Sequence, residues 1–206
     1  SGPREHCELD FFGGEPLMNW HVVQQTIDYV HKQEKKHGKK IKMSLTTNGL
    51  LLDKEKVKYL TDNHISLILS LDGRKEMHDR MRPGVHGEGT YDEIVKNLQY
   101  CVANRKGEEY YVRGTFTRYN MDFTTDVIDM LDKGFPAVSM EPVVGEDTAD
   151  YSIKEEDLPR VKAEYDRLAK LFIARVEEGR SFFFFHFNMD LWKGPCLPKR
   201  LRGCGA

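Results

Sequence analysis

Between Phe12 and Asn19 the chain places Gly13, Gly14, Glu15 and Pro16. Glycines in such a turn let a ligand approach the main chain, because no Cβ stands in the way. Pro16 stiffens the exit and removes one backbone donor. Alone, this is a strand-to-helix turn. Four more short motifs accompany it: LTTNG (Leu45–Gly49), LSLDG (Leu69–Gly73), YVRGTFTR (Tyr111–Arg118) and MEPV (Met140–Val143). Together they offer main-chain carbonyls, hydroxyls, the Arg113 guanidinium and the carboxylates of Glu15, Asp72 and Glu141. That is an inventory for holding a polar ligand. It is not one for nucleophilic catalysis: no Ser-His-Asp or Cys-His arrangement is evident, and the eight histidines are scattered. His78, in the segment HDRMRP, reads as a surface-loop residue.

The elements that must position these residues alternate. Strands are expected at Cys7–Phe12, Ile41–Thr46, Ser66–Asp72, Tyr110–Thr117 and Ala137–Pro142. Amphipathic helices are expected between and after them. Trp20–His37, with Asn19 as its cap, carries Val23, Ile27 and Val30 on one face and closes at Gly38. Asp53–Asn63 carries Val57 and Leu60. Thr90–Asn104 opens on Thr90-x-x-Glu93, a capping box. Thr124–Lys133 stops at Gly134, and Leu158–Glu178 has Pro159 in its first turn, where proline is tolerated. SFFFFHF, Ser181–Phe187, reads as core or interface packing. Strands separated by helices imply βαβ units and a parallel sheet.

Parallel strands usually bury both faces under apolar side chains. Here the two parities differ. Met43 and Leu45 oppose Ser44 and Thr46. Leu67, Leu69 and Leu71 oppose Ser70 and Asp72. Val112 and Phe116 oppose Arg113, Thr115 and Thr117, and Val138 and Met140 oppose Ser139 and Glu141. The apolar parity suits the layer beneath the helices. A closed lumen lined by the polar set would hold costly unpaired groups unless a ligand satisfied them. The pattern therefore predicts an open, incomplete barrel with a polar ligand against its interior. The five motifs fall where the strands end, the edge at which such sheets bind ligands.

Bulk properties exclude several classes. Lys+Arg 31 against Asp+Glu 33 leaves a net charge of -2, so nucleic acid is disfavoured as a partner. No apolar run approaches the ~20 residues of a membrane span. No secretory signal is visible at Ser1, which fits a cytoplasmic protein. Hydrophobic residues at 39% suffice for the core of one domain of 206 residues. Four cysteines are too few for a disulfide scaffold at this length. Cys7 and Cys101 read as small buried hydrophobes. Cys196 and Cys204 lie in the closing stretch GPCLPKRLRGCGA, at a spacing that matches no zinc signature.

In order, GGEP, TTNG, SLDG, HDRMRP with GTYD, and VRGTFTR resemble the radical S-adenosylmethionine superfamily, in its branch with a SPASM auxiliary-cluster domain. With PCLPKRLRGCGA added, the chain looks like the maturases of SCIFF peptides, which link a Cys sulfur to a Thr α-carbon in a small Cys-rich precursor. Anaerobic sulfatase maturases share much of the pattern. The fold so implied is α/β: a partial (β/α)6 open barrel of the radical SAM type, lacking its first βα unit. Residues 1–190 would form the core and 191–206 the start of the SPASM region.

By the same resemblance, the turn Gly13, Gly14, Glu15, Pro16 presents carbonyls to the α-ammonium of S-adenosylmethionine, a group with three donors to satisfy. Ser70 and Arg113 hold the methionine carboxylate, which the planar fork of an arginine can grip through two bonds. Thr47, Asn48 and Asp72 line the nucleoside and substrate side, with Glu141 near the ribose. Cys204 matches the first auxiliary-cluster cysteine and Cys196 a neighbouring one, so both are expected as metal ligands of [4Fe-4S] clusters. The implied partners are the precursor peptide and an electron donor such as flavodoxin or ferredoxin. One departure stands out: the Cys-x3-Cys-x2-Cys loop of the cofactor's own cluster is absent from the sequence. A cluster needs its thiolates, so the chain reads as an internal piece that cannot cleave the cofactor by itself. The rivals are another peptide-modifying relative of the sulfatase type, a binding module without a cluster, and an α/β barrel enzyme using bound phosphate. The last is disfavoured because no Gly-x4-Gly-Lys loop occurs.

Overall fold

The structure, a computed structural model, describes residues 5–105, 107–146 and 148–188. Cys196, Cys204 and the expected 191–206 region lie outside the described residues. Six parallel strands form one sheet in chain order: β1 (His6–Phe11), β2 (Lys40–Thr47), β3 (Ser66–Ser70), β4 (Tyr110–Phe116), β5 (Ala137–Pro142) and β6 (Phe183–Phe184). Six helices accompany them: α1 (Trp20–His37), α2 (Lys54–Asp62), α3 (Lys75–Met81), α4 (Tyr91–Ala103), α5 (Thr124–Asp132) and α6 (Leu158–Glu177). No helix among the described residues is long and apolar enough to cross a membrane.

Strand order equal to chain order, with every neighbour parallel, is the winding of a (β/α) barrel, here partial. The parity split sets its two faces. Leu45, Leu67, Leu69, Val112, Val138 and Met140 are buried in one core with Val23, Ile27, Val57, Ile94, Leu98 and Val127 of the helices. Burial of each such side chain contributes about 1.5–3 kcal/mol. Ser44, Thr46, Ser70, Arg113, Thr115 and Glu141, at the alternate positions, stay half-exposed. Gly114, on the core side of β4, keeps the layers close: a Cβ there would lie 2.6 Å from Met140 Sδ and 2.7 Å from the Leu71 carbonyl.

Helix ends follow local chemistry. Gly38 closes α1 with φ 61° and an N–H to the Glu34 carbonyl. Asp53 caps α2 by accepting from Lys56 N at 2.8 Å. Two expected caps differ. Asn19 makes no side-chain cap; the chain enters α1 through a 3-10 turn, Pro16–Asn19, capped by Glu15. Thr90 does not cap α4 either, because its hydroxyl is used elsewhere. Asp79 of α3 instead accepts from Thr90 N (2.8 Å) and Tyr91 N (2.9 Å). The helix α3 and the strand β6 were not expected from the sequence. Seven residues without an apolar stripe, and two phenylalanines in an aromatic run, carry too little periodicity. Cys101 is buried on α4 as expected, its thiol pushed up to about 11 by burial, whereas Cys7 is only half-buried at the edge strand β1.

Candidate functional site at the carboxyl ends of the strands

The turn after β1 and the turn after β2 are joined by one side chain. Glu15 Oε1 accepts from Leu17 N (3.0 Å) and from the Thr47 hydroxyl (2.9 Å), and Oε2 accepts from Asn48 N (2.8 Å). Thr47, almost fully buried, also accepts from Gly49 N, and Asn48 Oδ1 accepts from Leu50 N. The side-chain oxygens of Glu15, Thr47 and Asn48 are thus engaged in shaping the two turns. What they leave open is backbone. Gly13 has φ +142°, and a Cβ added at Gly13 or Gly14 would meet nothing within 4 Å. Pro16 opens the 3-10 turn behind them.

A second group lies in register across three strands. Ser70 pairs with Arg113, Arg113 with Ser139, and Thr115 with Glu141. The Arg113 side chain is 40% exposed, and its Nε stands 3.8 Å from Glu141 Oε1. That same oxygen accepts from the Ser139 hydroxyl (2.9 Å) and faces His186 Nε2 at 3.5 Å. His186 Nδ1 in turn lies 3.1 Å from the Tyr165 hydroxyl. Ser139, Tyr165 and His186 were not expected at the site. Ser139 shares the polar parity of β5, a signal that was available. His186 was masked by the phenylalanines around it: Phe182 and Phe184 are indeed core, but Phe183 and Phe185 alternate onto the open face, where Phe185 stacks on Tyr111 (5.6 Å, 18°).

Asp72 occupies a different environment. It is 2% exposed, pairs with Arg82 Nε (2.7 Å) and Nη2 (3.1 Å), and accepts from Thr115 N (2.8 Å). Its own N–H donates to His78 Nδ1 (3.3 Å). The structure thereby corrects the reading of His78, which is fully buried on α3 and not on a surface loop. With Nδ1 accepting, Nε2 carries the proton and meets the Thr90 hydroxyl at 3.2 Å, and that hydroxyl donates to the Arg82 carbonyl at 2.7 Å. Burial holds the imidazole below its ordinary value, more than Asp72 can raise it. Beside it, Arg74 grips Asp126 and Asp122 through five bonds, and the bond to Asp126 keeps its guanidinium firmly protonated. Gly73 permits this contact; a Cβ there would lie 2.2 Å from Asp126 Cβ.

The open face also holds a groove of about 650 Å³ toward the strand starts, lined by Asp10, Ser44, Ile68, Tyr111 and Phe185 among others. A hollow of about 880 Å³ near Cys7, His31 and His64 contains none of the expected site residues. Among the described residues no group of three or more His, Cys, Asp or Glu is arranged to hold a metal ion.

A six-stranded parallel sheet, helices on one face and a polar row at the strand ends define an α/β partial barrel. The model of the radical SAM superfamily matches residues 8–133, and the chain belongs to that superfamily. It is similar to a cysteine-type anaerobic sulfatase-maturating enzyme of Clostridium novyi, 29% identical over 109 residues, covering 52% of this chain and 28% of the relative. It is also similar to a radical SAM cyclopropyl synthase of Paramaledivibacter caminithermalis, 28% identical over 121 residues, covering 57% of this chain and 24% of the relative. The chain therefore spans about a quarter of the curated relatives it matches. Among solved structures, native anSMEcpe with bound AdoMet and a peptide shares the fold at TM-score 0.79 and 22% identity, over 90% of this chain and 51% of that one.

Proposed function

We propose that this chain is the cofactor-binding sheet of a radical SAM peptide maturase, one that installs Cys-to-α-carbon thioether links in a small Cys-rich peptide. The carrying observation is the row Ser70–Arg113–Ser139 with Glu141 beside it on the open face, in the same sheet as β1, whose turn leaves Gly13 and Gly14 exposed with open space around them. The fit to S-adenosylmethionine rests on the donor set. The exposed turn at Gly13 and Gly14 lets an α-ammonium approach main-chain acceptors closely. Arg113, whose Nη1 and Nη2 bond to no described residue, has a free fork for a carboxylate, with Ser70 as a second donor. Pro16 fixes the exit of the turn. Glu141, with a second carboxylate oxygen, can accept a ribose hydroxyl. Glu15, Thr47, Asn48 and Asp72 act by shaping the loops, since their side chains are engaged within the protein.

When bound at a reduced [4Fe-4S] cluster, S-adenosylmethionine supplies hydrogen-atom abstraction from the peptide. This chain's part is to orient the cofactor and exclude water from it. No residue of the chain is assigned a catalytic proton transfer. The cluster's cysteines belong to a motif this sequence lacks, and Cys196 and Cys204 are assigned to an auxiliary cluster of the SPASM region. Flavodoxin or ferredoxin is the proposed electron donor. A second reading, a sulfatase-type maturase, is favoured by the names of the curated relatives. Identifying the modified peptide separates the two.

Titration calorimetry with S-adenosylmethionine tests the site. Arg113→Ala is expected to weaken binding by about 1.5–3 kcal/mol, the scale of a hydrogen bond to a charged group. Equal affinities would count against the carboxylate role. After reconstitution with iron, sulfide and reductant, the 206-residue chain alone is expected to give no multiple-turnover 5′-deoxyadenosine.

A further inference from the structure

We infer that His186 is a positioning residue for Arg113, acting by holding Glu141 away from it. The inference rests on the cofactor reading above and names a device that keeps the site open.

An arginine and a carboxylate within reach of one another frequently close into a two-bond pair. Asp72 and Arg82 do so in this molecule, at 2.7 and 3.1 Å. Arg113 and Glu141 do not: their nearest approach is 3.8 Å, through Nε alone. The two are diagonal neighbours on β4 and β5, and Glu141 Oε1 has other company: it accepts from the Ser139 hydroxyl at 2.9 Å and lies 3.5 Å from His186 Nε2. Arg113 Nη1 and Nη2 are left without a partner among the described residues. A guanidinium consumed by Glu141 could not also grip a ligand carboxylate through the same edge.

His186 is itself held in place. Phe184, 1% exposed, anchors the strand before it, and Phe185 stacks on Tyr111. Tyr165, wedged edge-on against Phe123 at 5.0 Å, meets Nδ1 with its hydroxyl. Burial pushes that phenol up to about 12, so it keeps its proton. A carboxylate oxygen 3.5 Å from Nε2 favours the ring proton on that nitrogen, and Nδ1 then accepts from the Tyr165 O–H. A fixed tautomer aimed by a second group is a common way to orient an imidazole.

The test is a double-mutant cycle read by titration calorimetry of the chain with S-adenosylmethionine. His186→Phe frees Glu141 to close on Arg113, so affinity should fall about tenfold, the scale of one charge-assisted bond. In the Glu141→Gln background the same change should have no effect, because a neutral amide does not compete for the guanidinium. His186→Gln, which keeps an N–H donor, should bind within about twofold of the unsubstituted chain by the same reasoning. Tyr165→Phe removes one oxygen and should weaken binding about threefold; it serves if His186→Phe does not fold. A loss that persists with Gln at 141 overturns the route through Glu141. Full affinity in His186→Phe, or in Tyr165→Phe if that variant is the one used, while Arg113→Ala loses binding, overturns the role of His186 alone. A chain that does not bind the cofactor, or binds it equally well as Arg113→Ala, overturns the site reading and this inference together.

Discussion

Two acids at the ends of β3 and β5, the strands on either side of β4, each face an arginine, and the protein treats them oppositely. Asp72 is buried, paired with Arg82 through two bonds, and fills its remaining capacity with Thr115 N–H. Glu141 is half-exposed and 3.8 Å from its arginine. The first arrangement is saturated at the acid: both Asp72 oxygens are engaged within the protein. The second is unsaturated, and the spare donors face the open side of the sheet. A charged residue at a strand end therefore signals a ligand only when its partner leaves it incomplete.

The largest expected effect is on the saturated pair. Asp72→Ala strands Arg82 and the Thr115 N–H. It should lower unfolding free energy by about 2–4 kcal/mol, less than a fully buried pair because Arg82 is partly exposed. Urea denaturation measures this, and a loss under about 1 kcal/mol would put Asp72 in the same class as Glu141. Arg113→Ala should show the reverse pattern: cofactor affinity falls as stated above, while stability moves by less than about 0.5 kcal/mol, as for other exposed sites. Glu15→Gln is expected to lie between them. It removes the charge that three donors share, costing about 1–2 kcal/mol of stability, and it loosens the two turns so that binding weakens as well. A change in affinity with no change in stability would place Glu15 on the ligand instead.

The smallest effect is a pH slope. Burial keeps folded His78 below its ordinary value of 6.5, so on acidification the unfolded chain takes the proton first. The stability His78 contributes is complete above the unfolded value and drains away as pH falls toward the folded one. His78→Gln should flatten the decline of the urea midpoint between about pH 7.5 and pH 5.5. Parallel declines in the two proteins would refute this.

Much of the arrangement was legible in the sequence for physical reasons. α1 was found to the residue because an apolar stripe and Gly38 define both ends. The open face was visible in the split parities of β2 to β5, and Ser70, Arg113 and Glu141 do share it. The division of labour among those residues was not legible. Asp72 and Glu141 look alike in sequence, and only Arg82, ten residues on and across the α3 turn, separates them. His78 was misread because it lies on a short helix with no periodic signal, and Thr90 because its partners Asp79 and Arg82 belong to that helix and its end. His186 was hidden because a strand edge of alternating phenylalanines reads as uniform grease. The expected metal ligands Cys196 and Cys204 fall outside the described residues.

The ladder Ser70–Arg113–Ser139 has a consequence for folding fidelity. Neighbouring strands stand about 4.8 Å apart, so three rungs form a fixed ruler set by the backbone. A slip of one residue in β4 would turn Arg113 into the helix layer and present Val112 or Gly114 in its stead. On the proposed role of Arg113, recognition proofreads assembly: a sheet knitted one stitch out of step has no guanidinium to offer the cofactor.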